Sequence, residues 1–161
     1  MTPEQIAFLS SLETKLWTAA NKLLPSLDAA RYKHIMLGLI FLKYVSDSFN
    51  IRVDELTKDF SDPDADYFLG DDVDNNLLLG ELENRDYYTE KNVFWVPECA
   101  RWKNIEATCR LPLGLKLPWG DEFKGVGKLL DDAMDAIERE NPKLKNILFK
   151  DFAREGIEDR V

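Results

Sequence analysis

No proline interrupts the sequence between Pro25 and Pro63, and within that span lies Leu37 to Phe49, LGLIFLKYVSDSF. This predicts one long helix, capped by Ser26 or Asp28, running from about Ala29 past Phe49 and on toward Phe60. At about 100° per residue, Leu42, Phe49, Ile35 and Leu39 share one side of its wheel. Met36, Ile40, Leu37 and Phe41 fill most of the other, so the helix is expected to be central and covered on more than one face. Gly38 would cost about 1 kcal/mol relative to Ala in a helix interior, which suggests a neighbouring element close by. The continuous apolar stretch Ile35–Leu42 ends at Lys43. It falls far short of the ~20 residues that a membrane-spanning helix needs, so the expected environment is a protein core and not lipid.

Lys43 and Asp47 stand four apart and make the credible ion pair of this helix, with Ser46 beside them. Lys before Asp is the weaker orientation, worth a few tenths of a kcal/mol at most (~0.2–0.5). Local stability gives little reason for the pair, so a contact to another segment or subunit becomes the reason to consider.

The 161 residues, 45% hydrophobic and 32% charged, suit one globular domain over 1–161. The start, MTPEQIAF, has no basic leader, apolar signal core or cleavage site, so a cytoplasmic location is expected. Cys99 and Cys109 form no CxxC and have no nearby His, which favours free buried thiols over a disulfide or metal pair. The net charge of −9 is unevenly placed: Asp54 to Glu90 holds 13 acidic and 2 basic residues, and the remainder 17 acidic and 19 basic. Such a field repels phosphate, so weak intrinsic DNA binding is expected.

Thr2-Pro3-Glu4-Gln5 has the form of a helix start, with a helix to about Leu24 stopped by Pro25. Residues 61–92 are acidic and turn-rich and read as a long surface excursion. Val93 to Val96 favours an extended segment before Pro97, and a short helix fits Glu98 to about Cys109. Leu111 to Phe123, with two prolines and two glycines, is a connector. Val126, Leu129, Leu130, Ala133, Met134 and Ile137 carry helical spacing up to Asn141-Pro142. From Lys143 on, apolar positions are scattered and no final element is evident. The fold class is mainly α: a helical bundle with a long acidic loop and a short extended segment.

The stretches that come nearest to motifs for chemistry each depart from the geometry that the chemistry needs. Asp72, Asp74, Asn76 and Glu83 match positions 1, 3, 5 and 12 of an EF-hand loop, but Leu77 stands where the turn needs Gly. Asp62, Asp64 and Asp66 lack that Gly too, so the bland reading, a solvated acidic loop, prevails over calcium. Gly125-Val126-Gly127-Lys128 lacks the rest of a phosphate loop and reads as a helix start. His34 is the only histidine, and no G-x-S-x-G elbow supports a triad. Tyr87, Tyr88, Phe94, Trp95, Trp102 and Trp119 could stack on bases, but few basic residues interleave them, which favours core or interface roles. No catalytic, cofactor-binding or metal residue is assigned.

Taken together, several stretches resemble a known family. They are LETKLWTAANKLL (Leu12–Leu24), LDAARYKHIMLGLIFLKYVSDSF (Leu27–Phe49), DYYTEKNVFWVPECARW (Asp86–Trp102) and GVGKLLDDAMDAIERENPKLKNIL (Gly125–Leu148). Trp17 with Asn21, Phe41 to Tyr44 with Ser46-Asp47, and Phe94 to Pro97 through Ala100-Arg101-Trp102 are each short but jointly specific. The chain thus resembles the N-terminal helical domain of the methylation subunit of type I restriction-modification systems, with Phe68–Glu83 fitting least and looking like an insertion. The resemblance implies methyl transfer from S-adenosylmethionine to adenine N6 of DNA by the whole protein. It also implies a second methylation subunit, a specificity subunit and a restriction subunit as partners. The family's Asn-Pro-Pro-Phe/Tyr motif is missing here, where Asn141-Pro142 runs into Lys143-Leu144, and so is the glycine motif for the methyl donor. Both lie downstream in the family, so this piece is expected to be inactive by itself. Lys43, Ser46 and Asp47 are interface candidates, with Trp95, Arg101 and Trp102 beside them. The alternative is a free-standing helical interaction or regulatory module.

Overall fold

The computed structural model describes residues 29–155 together with Thr14 and Thr18. Both threonines are helical, and the Thr18 hydroxyl donates to the Thr14 carbonyl at 2.9 Å. The rest of the helix expected up to Leu24 lies outside the described residues. The chain forms two compact units, 1–40 and 41–161. The described residues are mostly helical, with no helix long and apolar enough to cross a membrane.

The proline-free span is a single helix, α1, Ala29–Ser61. Its part within the first unit buries Ile35, Met36 and Gly38. In the second unit, Leu42, Val45, Phe49, Arg52, Leu56 and Phe60 are buried, a seam with steps of three and four residues, as one helix face requires. Of the second face expected to be covered, Met36 is buried, Ile40 and Phe41 are half-buried and Leu37 is exposed. Leu37, Tyr44 and Ile51, seven apart, are all exposed, because helical spacing shows which apolar residues share a face and not which face finds a partner.

The acidic excursion contains two short helices, α2 (Asn75–Leu82) and α3 (Asp86–Thr89). Asp74 caps α2, its carboxylate accepting the Leu77 N–H at 2.8 Å, which satisfies an otherwise orphaned donor. No α2 residue is buried, so this helix adds little to the core. In α3, Tyr88 is buried and its hydroxyl donates to the Leu82 carbonyl at 2.7 Å.

Residues 93–97 form neither helix nor strand. Glu98–Ala100 is a 3-10 turn, and α4 covers Trp102–Thr108. The single helix expected over Glu98 to Cys109 is therefore broken at Arg101. The connector folds back on itself through a bridge between Lys116 and Glu122, burying Leu117 and Phe123 while Leu111, Leu113 and Leu115 stay exposed. Amphipathic α5, Val126–Glu140, buries Leu129, Leu130, Ala133, Met134, Ala136 and Ile137. Against it lie the Glu98–Ala100 turn and two further 3-10 turns, Pro142–Leu144 and Ala153–Glu155.

Candidate functional site

The six candidates converge where α1 meets the segment 95–102. The Lys43 ammonium donates to both Asp47 oxygens at 2.5 and 2.6 Å, and it lies 5.8 Å from the centroid of the Trp102 ring, a cation–π distance. The side chains of Lys43 and Asp47 retain 26% and 21% of their exposure, so the pair borders solvent. Ser46 is fully buried, and its Oγ accepts the Trp102 N–H at 2.7 Å. Arg101 sits half-buried, with Nε donating to the Val96 carbonyl at 3.2 Å and its guanidinium 4.9 Å from the centre of the Phe49 ring.

Beneath this surface an aromatic cluster fixes Trp95. Phe49 stacks on Tyr88 at 4.9 Å, and the buried Trp95 meets both edge-on, at 5.3 and 5.1 Å. Such pairs contribute about 0.5–1.5 kcal/mol each beyond their burial. Burial pushes the Tyr88 phenol up to about 12. Ser46 and Trp95 thus face inward and hold the surface up, whereas Lys43, Asp47, Arg101 and Trp102 are the members a partner could touch.

Sequence reasoning missed the residues that organise this region. Asn141, read only as a helix end, accepts the Trp95 N–H at 3.0 Å and donates to the Trp95 and Ile137 carbonyls at 2.8 and 2.7 Å. Arg52, almost fully buried, donates through Nε to the Tyr87 carbonyl at 3.0 Å and pairs with Glu55 at 3.1 Å; its Nη2 has no partner among the described residues. A charged residue inside an apolar seam was the available signal for Arg52. Asn141 carried none beyond its place before a proline.

The arrangement does not fit the methyl donor that the family implies. No strand carries a glycine-rich turn among the described residues, and the side chain of Asn141, in the only Asn-Pro of the chain, is already engaged with the backbone at Trp95. No group of three or more His, Cys, Asp or Glu side chains is placed to hold a metal ion among the described residues. Two of the acidic residues serve local structure instead, Asp74 capping α2 and Asp62 accepting the Asp64 N–H at 3.0 Å. Cys99 and Cys109 are free and half-buried, and burial pushes both thiols up, away from the reactive thiolate.

The described residues form a helical scaffold in which polar side chains, among them Ser46, Arg52, Asn141 and Asp131, clasp the chain's own backbone. Comparison with known proteins gives that scaffold a family: the chain belongs to the HsdM N-terminal domain family, whose model matches residues 12–160. It is 26% identical over 160 residues to the type I restriction enzyme MjaIX methylase subunit of Methanocaldococcus jannaschii, an alignment covering 99% of this chain and 25% of that protein. Over 53 residues it is 51% identical to the type I restriction enzyme HindI methylase subunit of Haemophilus influenzae, covering 33% of this chain and 12% of that protein. The chain therefore spans about a quarter of the length of the MjaIX relative, and its 53 matched residues cover about an eighth of the HindI one.

Proposed function

We propose that this chain is the assembly and DNA-clamp domain of a type I restriction-modification methylation subunit. In this reading residues 1–161 act as one functional domain, followed in the whole protein by a catalytic methyltransferase domain. That protein transfers a methyl group from S-adenosylmethionine to adenine N6 in DNA. A specificity subunit reads the sequence, a second methylation subunit closes the clamp, and a restriction subunit joins for cleavage, all in the cytoplasm. The observation that carries the reading is the family match across residues 12–160. The role assigned to this piece is contact and not chemistry, since its own residues do not suit the methyl donor.

The proposed contact surface is Lys43, Asp47, Arg101 and Trp102. Lys43→Ala or Asp47→Ala should leave the melting temperature of the 161-residue chain nearly unchanged, because a pair bordering solvent contributes only about 0–1 kcal/mol. In the complete protein with its specificity subunit, the same changes should weaken assembly or adenine methylation, since stranding one member of a desolvated interfacial pair costs roughly 2–5 kcal/mol. Assembly followed by sedimentation, and methyl transfer followed by nucleoside analysis of the DNA, read this out. A large loss of stability in the isolated chain would defeat the interface assignment. A complete protein that forms no N6-methyladenine would defeat the enzymatic reading and favour a stand-alone interaction module.

A further inference from the structure

Residues 146–153 lie along α5, and no backbone-to-backbone hydrogen bond joins them to it among the described residues. Three carboxylates of α5 hold them instead. Glu138 accepts the Asn146 N–H at 3.0 Å, and Lys150 Nζ lies 2.8 Å from both Glu138 and Asp135. Asp131 accepts the Phe152 N–H on one oxygen at 2.9 Å and the Ala153 N–H on the other at 3.1 Å. The acceptors retreat along α5, from 138 through 135 to 131, as the segment advances, so it runs antiparallel to the helix. Their spacing of four and three residues puts all three carboxylates on one helical face. Asn146, at φ +62°, makes the turn that starts the segment.

Under this ladder the fit is tight. Phe152 is fully buried and meets Phe149 edge-on at 4.9 Å. A Cβ at Gly127 would stand 2.5 Å from the Ala153 Cα and 2.8 Å from its nitrogen, so glycine is what lets the two backbones approach. Because the grip comes from side chains of α5, releasing it breaks none of that helix's own backbone bonds.

We infer that residues 146–153 are a latch on α5, able to open as a unit while α1 and α5 stay folded, uncovering Gly127 and the seat of Phe152. Local opening below the global unfolding limit is expected where a segment buries little of itself, and between 146 and 153 Phe152 is the one buried residue. Any pull on the chain beyond Glu155 then acts on the latch before it reaches the helix.

Hydrogen–deuterium exchange of the intact protein tests this. Asp131→Asn keeps one acceptor oxygen and replaces the other with an amide that cannot accept, so exchange over 146–155 should quicken about ten- to a hundredfold, with peptides of α1 unchanged. Asp132→Asn removes the same charge from the neighbouring residue, whose partner is Lys128, and should leave the latch as it was. Should Asp131→Asn fail to fold, Lys150→Gln removes only the ion pairs and should give a smaller acceleration confined to the same segment. Unchanged exchange over 146–155 in the variants that fold, equal acceleration in α1, or an equal effect of Asp132→Asn would each overturn the latch.

Discussion

At the scale of single residues, Ser46 shows how one buried hydroxyl can set the course of a distant segment. In an uninterrupted helix the Trp102 N–H would turn back to the Glu98 carbonyl; here it goes to Ser46 Oγ, and the chain breaks at Arg101 to let it. Ser46→Ala strands that donor and should cost about 1–3 kcal/mol, measured as a lower urea midpoint with an unchanged slope; an unaltered midpoint would mean that Trp102 N–H finds other company. Tyr88 adds a pH dependence. Its phenol, pushed up to about 12 by burial, keeps its proton in the folded chain where the unfolded chain loses it near pH 10. The Tyr88 contribution is therefore complete below pH 10 and declines as pH rises toward 12, by up to ~2–3 kcal/mol. Tyr88→Phe should flatten that share of the alkaline decline. At neutral pH it should lose about 1 kcal/mol with the Leu82 hydrogen bond. Denaturation midpoints collected from pH 8 to about pH 12 separate the two effects.

At the scale of elements, opposing forces meet at Gly127. Alanine suits a helix better by about 1 kcal/mol, yet its Cβ would press on the Ala153 backbone, which has no flexible end to move aside. Gly127→Ala is therefore expected to destabilise by roughly 1–3 kcal/mol, and a gain in chemical-denaturation stability would show that the approach is looser than 2.5 Å. Elements with a strong local signature were legible in the sequence. α1 matched from Ala29 to within a residue of Phe60, and α5 up to Asn141, because helical spacing and prolines are written locally. α2 was passed over inside the acidic excursion, although Asp74 before Asn-Asn-Leu-Leu-Leu is a cap signal. What depended on tertiary contact was not legible: the break at Arg101, the exposure of Tyr44 and Ile51, and the grip of Asn141 on Trp95. For the candidate surface, spacing alone gave the Lys43–Asp47 pair, but nothing local says that Trp102 arrives beside Lys43.

At the scale of the whole molecule, charge and contact should act separately. With −9 overall and the acidic excess concentrated between Asp54 and Glu90, the isolated chain should give a flat fluorescence anisotropy titration with duplex DNA at physiological salt. It should likewise give no saturable heat with S-adenosylmethionine; tight DNA binding with a steep salt slope, or micromolar binding of the methyl donor, would contradict the division of labour proposed here. The clasps between side chain and backbone have a kinetic consequence as well. Arg52 reaches Tyr87 across 35 residues, Trp95 reaches Asn141 across 46, and Ser46 reaches Trp102 across 56. Helical proteins ordinarily fold fast because most of their contacts are local, while contacts that close long loops must first overcome the entropy of closure. Here α1 and α5 can each wind up within microseconds or less, but the side chains that fix their surroundings must wait for distant stretches of chain to arrive. Refolding should therefore run slower than the helix content suggests, with helical signal recovered before the environment of Trp95 is restored.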